Sequence, residues 1–239
     1  MPIKKHDFVE LEYTGRLKEG NDVFDTTDQK VAEGAKIFAK GAEYKPVVVC
    51  IGEHHVLPGI DEFLIGKEAG KYTVDVPVEK AFGKKDPSAL KMIPTDKFEE
   101  QGIKPVPGLR LNIDGYVGII KTVSGGRTVV DFNHPLAGRD VVYEIKVNKV
   151  ITDKKTQVES VLRMLLGLKT RVTMDGAKAK VDIPKLPAEL LAELSKKVKD
   201  LTGCDVDYII HEPEQQKGKD ADAGHDHHDH DHSDPNHKH

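Results

Sequence analysis

Apolar and polar residues alternate with a period of two at residues 8–14, 71–77 and 141–150. This alternation is typical of strands that have one face in a core and the other in water. The run Val47-Val48-Val49-Cys50-Ile51 is instead continuously apolar and rich in β-branched residues, which favour a buried strand. The pattern therefore predicts a β-sheet assembled from segments that lie far apart in the sequence.

A short helix is predicted directly after the apolar strand. Pro58 and Gly59 end the extended chain, and Ile60, Phe63 and Leu64 then recur at the i, i+3 and i+4 positions of one helical face. A helix of this length is not stable alone in water. We therefore expect the sheet to curve around it and bury its apolar face.

The composition changes at residues 84–130. Four prolines and weak periodicity mark residues 84–108, and strand-like runs follow at 109–114, 116–123 and 127–132. Ser124-Gly125-Gly126 is a hairpin signal between the last two runs. Residues 84–130 therefore differ in composition from the segments on either side and contain several short strands.

A third unit is predicted at residues 153–212. Its apolar patterns indicate a helix near 158–166, a hairpin around Asp175-Gly176, an amphipathic helix that ends at Gly203, and a last strand at 206–210. The wide apolar stripe of the first helix is typical of a core or of a dimer surface. The sequence therefore leaves open a homodimer formed through this C-terminal unit.

Charge and composition exclude several classes of protein. The chain has 36 Lys and Arg against 40 Asp and Glu, and a net charge of −4 argues against a nucleic-acid partner. It has no apolar run of the roughly 20 residues that a membrane span requires. Cys50 and Cys204 are too far apart in sequence to suggest a disulfide framework. We expect a soluble cytoplasmic protein without a membrane partner.

Apolar residues nearly vanish after Glu212, so we expect residues 213–239 to form a disordered tail. Histidines alternate there with aspartates, at His225, His227, His228, His230 and His232. Imidazoles at this density bind nickel, copper or zinc. We expect nickel or zinc to bind in vitro, and the sequence leaves open whether the tail handles metal in the cell or only solvates the protein. His54 and His55, an isolated pair without an acid partner, are a weaker metal signal.

Five motifs occur in one order: residues 9–15, 23–27, 52–59, 81–83 and the closing strand through Tyr143. Together they resemble the FK506-binding-protein (FKBP) family of peptidyl-prolyl isomerases, and 131–138 resembles its SlyD-like branch, which includes long archaeal members. The resemblance implies an α+β fold: an FKBP antiparallel β-sheet wrapped on a short helix, an inserted small β-rich domain and a C-terminal α+β domain. The isomerase domain would comprise 1–84 and 131–152, and the inserted chaperone domain, called the insert-in-flap, would comprise 85–130.

The same resemblance implies a set of site residues. The catalytic positions would be Tyr13, Phe24, Asp25, Phe82 and Tyr143. The substrate-binding positions would be Val47, Val56, Leu57, Ile60, Phe132 and Leu136. Two positions depart from the family pattern, because Ile60 stands where many members have an aromatic residue and Phe82 where a tyrosine is common. Both departures disfavour tight macrolide binding but keep the pocket apolar.

The implied chemistry needs no nucleophile, metal or cofactor. Rotation about a peptide bond costs about 18–20 kcal/mol because the planar amide is resonance-stabilised. The planar amide is also more charge-separated than the twisted one, so a water-poor apolar pocket favours the twisted transition state. We expect the apolar pocket, rather than Asp25, to carry the reaction on unfolded or partly folded proteins with X-Pro bonds. The rival interpretations are a non-catalytic holdase chaperone acting through apolar residues of 85–130, and a nickel-handling protein acting through the tail.

Overall fold

A computed structural model describes residues 1–113 and 115–211. The strands are β1 (Phe8–Leu17), β2 (Val23–Thr26), β3 (Val47–Cys50), β4 (Gly70–Val76), β5 (Leu90–Pro94), β6 (Arg110–Ile113), β7 (Tyr116–Ser124), β8 (Arg127–Asp131), β9 (Val141–Ile151), β10 (Arg171–Asp175), β11 (Lys178–Pro184) and β12 (Asp205–His211). The helices are α1 (Gln29–Gly34), α2 (Pro58–Leu64), α3 (Asp96–Glu99), α4 (Lys154–Leu166) and α5 (Ala188–Thr202). The predicted α+β class is confirmed.

The first sheet is antiparallel, with strand order β2-β1-β9-β4, and β3 pairs with the first half of β1. Helix α2 packs on one face of this sheet and buries Ile60 and Leu64. The sheet residues of this core are Val9, Leu11, Leu17, Val49, Val74, Val76, Val141, Tyr143, Ile145 and Val147. The predicted wrapping of the sheet around a short helix is therefore confirmed.

The chain leaves the first sheet after β4 and returns to it in β9. Between them lies a second antiparallel sheet with strand order β5-β8-β7-β6, whose core contains Phe98, Ile120 and Val130. Strand β5 and helix α3 were not predicted, because the prolines of 84–108 obscure their periodicity. Pro94 is tolerated because β5 is an edge strand, where a missing N–H costs no ladder hydrogen bond.

The third sheet has strand order β10-β11-β12, and α5 connects the parallel strands β11 and β12. Gly167 and Gly203 end α4 and α5 with positive φ angles of 65° and 74°. The predicted order of helix, hairpin, helix and strand is confirmed. Helix α4 begins at Lys154, earlier than the pattern predicted, because Asp153 caps it by accepting from the Thr156 N–H at 2.9 Å.

The C-terminal unit shares a core with the first sheet. Phe8, Cys50 and Ile151 from the sheet are buried together with Val158, Val161 and Leu162 from α4. The Ser160 hydroxyl also donates to the Val48 carbonyl at 2.6 Å. This bond satisfies part of the outer edge of β3, which would otherwise present unpaired backbone groups.

The longest described helix, α5, has 15 residues. Among residues 1–113 and 115–211, no helix combines the length and the apolar character that crossing a membrane requires.

The predicted histidine ligands His225, His227, His228, His230 and His232 lie outside the described residues. Nickel or zinc binding by the tail stays a prediction.

The shared core makes a prediction about stability. Leu162→Ala should lower the free energy of unfolding by about 2–5 kcal/mol, because Leu162 is fully buried and truncation leaves a cavity. Leu165→Ala is the matched control, since Leu165 lies on the same helix but is 46% exposed. Urea unfolding followed by circular dichroism measures both. Equal effects of the two substitutions would show that α4 is not anchored through this core.

Candidate functional site

A cavity of about 450 Å³ opens beside α2, between the first sheet and the turn that precedes the helix. Its lining comprises Leu11, Tyr13, Asp25, His54, His55, Val56, Leu57, Pro58, Ile60, Phe82, Tyr143 and Ile145. The structure thus brings together seven of the predicted site residues, which come from three strands, the turn, α2 and the loop after β4. Ile60 is buried, as expected for the pocket floor.

Aromatic rings form one wall of the cavity. Phe24 contacts Tyr143 and Phe82 edge-to-face, with both pairs of ring centroids 5.7 Å apart. Tyr13 and Tyr143 are tilted against each other at 5.8 Å. Aromatic pairs in these geometries add to the free energy of burial. Phe24 therefore supports the wall from outside the lining, and its predicted place at the site is explained by this packing.

Gly15 allows the wall to form. A Cβ atom at Gly15 would lie 2.8 Å from Cζ of Tyr143 and 2.9 Å from Cζ of Phe24, which is closer than real contacts allow. The rings therefore rest directly on the backbone of β1. The sequence pattern contained Gly15 within a motif but gave no signal of this close approach.

Asp25 interacts with Tyr13 at the edge of the cavity. Burial raises the pKa of Tyr13, and the charge and the hydrogen bond of the Asp25 carboxyl raise it further. Burial also raises the pKa of Asp25, while bonds from Tyr13 and the Thr26 N–H oppose this shift. Tyr143 likewise has a raised pKa, chiefly through burial. Both tyrosines are therefore neutral at neutral pH, and the Asp25 carboxyl interacts with Tyr13.

Two further side chains contact residues of the cavity lining, although the sequence pattern did not identify them. The His134 ring stacks on Phe82 with centroids 4.6 Å apart and planes only 4° apart. Asp61, on α2, is buried and accepts from the His54 N–H at 3.0 Å. This bond joins Asp61 to the backbone of the turn and not to an imidazole, because one helical turn of α2 carries Asp61 back to the preceding turn.

The remaining predicted substrate-binding residues lie elsewhere. Val47 lines a separate groove of about 730 Å³ between β3 and α4. Phe132 packs against the core of the inserted sheet. Leu136 is half-buried against the core of the first sheet. None of the three is in the cavity lining.

Residues 1–113 and 115–211 contain no group of three or more His, Cys, Asp or Glu side chains placed to hold a metal ion. The cavity is instead lined mostly by apolar side chains, together with Asp25 and two histidines. Such a lining suits a neutral, partly apolar ligand that sheds water on entering.

Two protein-family models match the chain. One is described as "FKBP-type peptidyl-prolyl cis-trans isomerase" and matches residues 1–99. The other is described as "FKBP26, IF domain" and matches residues 91–136. The two matches cover the first sheet through β4 and the inserted sheet, respectively.

Several curated proteins are similar to the chain. A short-type peptidyl-prolyl cis-trans isomerase of Methanocaldococcus jannaschii is 34% identical over 149 residues, which cover 62% of this chain and 94% of that protein. The FKBP-type peptidyl-prolyl cis-trans isomerase SlyD of Vibrio cholerae is 30% identical over 153 residues, covering 62% of this chain and 68% of that protein. A probable FKBP-type 16 kDa peptidyl-prolyl cis-trans isomerase of Pseudomonas fluorescens is 27% identical over 150 residues, covering 61% and 89%.

The aromatic wall makes a prediction about Gly15. Gly15→Ala should lower turnover of a proline-containing tetrapeptide by between about tenfold and 10²-fold, because the new methyl group displaces Tyr143 and Phe24. Gly34→Ala is the control, since no atom lies within 4 Å of a Cβ there. A protease-coupled isomerisation assay measures both. Full activity of Gly15→Ala in a folded protein would contradict the role of this wall.

Proposed function

The chain belongs to the family of FKBP-type peptidyl-prolyl cis-trans isomerases, and from this premise we propose that it accelerates proline-limited folding by holding clients on its inserted sheet while the cavity turns the X-Pro bond. The observation that carries the proposal is the pairing of a mostly apolar cavity with a separate exposed apolar face. The isomerase activity follows from the family. The client-holding role rests on the inserted sheet.

The cavity suits rotation about an X-Pro bond. Uncatalysed isomerisation takes tens to hundreds of seconds, which is slow enough to limit folding. Phe82, Tyr143 and Ile60 offer the prolyl ring an apolar surface, and the tyrosine hydroxyls stay uncharged. Entry of the amide into this surface removes water that stabilises the planar, charge-separated ground state. The rotation makes and breaks no covalent bond, so the reaction requires no cofactor.

One face of the inserted sheet exposes apolar side chains. Leu90 is 45% exposed, and Met92 and Val117 are each 61% exposed. The pairing register places Val129 opposite Met92, and strand alternation puts Ile119 on the same face as Val117. We call the surface formed by Leu90, Met92, Val117, Ile119 and Val129 the open face. The opposite face of the sheet packs on the core that contains Phe98. An exposed apolar patch of this kind is typical of a surface that binds other proteins.

The insert is attached beside the cavity. The Asp86 N–H donates to the Asn133 side-chain carbonyl at 2.7 Å, and the Asn133 amide donates to the Asp86 carbonyl at 3.1 Å. The Gly138 N–H donates to the Gly83 carbonyl at 2.8 Å. These hydrogen bonds therefore hold together the two segments that connect the inserted sheet to the first sheet, next to Phe82. A client on the open face would reach the cavity at a local concentration of the mM order that short tethers provide.

A holdase chaperone without catalysis is the main alternative, and the open face alone would support it. Turnover of a short peptide distinguishes the two, because such a peptide needs the cavity but not the insert.

We also propose a homodimer formed through the C-terminal unit. Within the described residues β12 pairs only with β11, and Ile209 and Ile210 near its end are 45% and 48% exposed.

The open face makes a prediction about client folding. The double substitution Met92→Ser, Val117→Ser should slow catalysed refolding of a proline-limited protein by about tenfold or more, approaching the 10²-fold that tethering supplies. Tetrapeptide turnover should stay unchanged, because neither residue lines the cavity. The measurement compares refolding of an unfolded client with the peptide assay on the same preparation.

The matched control for this experiment is Tyr116→Ser. Tyr116 is 72% exposed on the same strand as Val117, but alternation places it on the opposite face of the sheet. The control should refold the client normally. An equal loss in the control would place client binding outside the open face, and an unchanged double variant would refute the client-holding role.

A further inference from the structure

The C-terminal unit contacts the turn that forms one side of the cavity. The ammonium group of Lys197, on α5, lies 2.5 Å from one carboxylate oxygen of Glu53. The imidazole of His6 lies 3.3 Å from the other oxygen. Glu53 is only 14% exposed, and Lys197 and His6 lower the pKa of its carboxyl despite burial. Glu53 is therefore a charged, largely enclosed group held between two segments of the chain.

Glu53 lies in the turn between β3 and α2. The next residues, His54, His55, Val56 and Leu57, all line the cavity. A movement of Glu53 therefore moves the part of the backbone that presents these side chains to substrate.

Backbone hydrogen bonds fix the two ends of the turn, since the Ile51 N–H donates to the Asp7 carbonyl at 3.0 Å and the Leu57 carbonyl accepts from the Ile60 N–H at 2.8 Å. The Cys50 N–H donates to Nδ1 of His55 at 3.0 Å, and the His54 N–H donates to Asp61 at 3.0 Å. His54 has a φ angle of 56°, which is unusual for a residue other than glycine. A backbone in such a conformation persists when surrounding contacts fix it. The Lys197–Glu53 pair supplies such a contact from outside the isomerase sheet.

We propose that Lys197 is a positioning residue for the isomerase cavity, through which the C-terminal unit sets the geometry of the turn at residues 51–57. The isomerase domain supplies the lining of the cavity, and α5 restrains one side of it. The shared core of α4 and the first sheet keeps the C-terminal unit in place for this contact. The role assigned to α5 is thus restraint of the turn that lines the cavity.

The pair acts through geometry more than through net stability. Ion pairs at protein surfaces contribute little to the free energy of folding. An enclosed carboxylate that loses its partner, however, moves toward water or toward another partner. In Lys197→Met we expect Glu53 to turn outward, with the turn following it. Misplacement of groups that position substrate lowers turnover even when the fold is intact.

The test uses the full chain with Lys197→Met, Lys197→Arg and the neighbouring control Lys196→Met, which replaces an exposed lysine of the same helix. Tetrapeptide turnover should fall about threefold to tenfold in Lys197→Met, remain normal in Lys196→Met, and recover in Lys197→Arg because an arginine keeps the pair. Glu53→Gln should reproduce the loss. The double variant should be no worse than either single variant, since the two residues act as one unit.

Hydrogen exchange separates positioning from general destabilisation. The Cys50 and His54 amides, which donate within the turn, should exchange faster in Lys197→Met, whereas the Ile145 amide of the central strand β9 should not change. Tetrapeptide turnover does not depend on the open face, so this experiment stands apart from the client-holding proposal. Normal turnover and normal turn amides in Lys197→Met would overturn the inference. Equal losses in Lys197→Met and Lys196→Met would also overturn it.

Discussion

The site depends on keeping aromatic rings packed against one another while the space beside them stays unfilled. Tyr143 is buried among Phe24, Tyr13 and the backbone at Gly15, so it has little freedom to rotate into the cavity. On the other side, Ile60 is anchored by α2 and fills less volume than an aromatic ring would. The curvature of the first sheet around α2 separates these two walls. An apolar cavity in a small domain persists only because both walls are fixed in this way.

Contacts from outside the isomerase sheet also hold the cavity walls in place. Strand β3 pairs with β1 along its inner edge. Its Val48 carbonyl accepts from the Ser160 hydroxyl, and its Cys50 N–H donates to Nδ1 of His55. The strand leads directly into the turn that lines the cavity. The C-terminal unit therefore supports the site through a buried core at α4 and an ion pair at α5. The inserted sheet, by contrast, is joined to the site by the hydrogen bonds of its two junctions, which fits the proposed client-holding role.

Much of the fold could be predicted because its strands and helices carry strong local patterns. Alternation in β1, β4 and β9, and the three apolar positions of α2, each correspond to one buried face. Strand β5 could not be predicted in this way, because its exposed Leu90 and Met92 do not mark a buried face. Its proline is acceptable only at an edge, which is a property of the sheet and not of the segment.

The site was predictable where motifs carried it and unpredictable where contacts between distant segments built it. Tyr13, Phe82 and Tyr143 followed from the family resemblance. The stacking of His134 on Phe82 and the return of Asp61 to the turn depend on three-dimensional proximity that no spacing reveals. Val47 and Phe132 show the converse. Both fit the apolar character expected of a substrate-binding residue, but strand direction and the inserted sheet place them in other surroundings.

The most direct test of the account compares Asp25→Asn with Phe82→Ala in tetrapeptide turnover, measured as kcat/KM on folded protein. Removal of the Phe82 ring opens the cavity to water and should lower kcat/KM by about tenfold or more, if desolvation of the amide carries the rotation. Asp25→Asn keeps the size of the side chain and the apolar wall, so it should cost less. A larger loss from Asp25→Asn than from Phe82→Ala would contradict the account and assign the main role to the carboxylate charge.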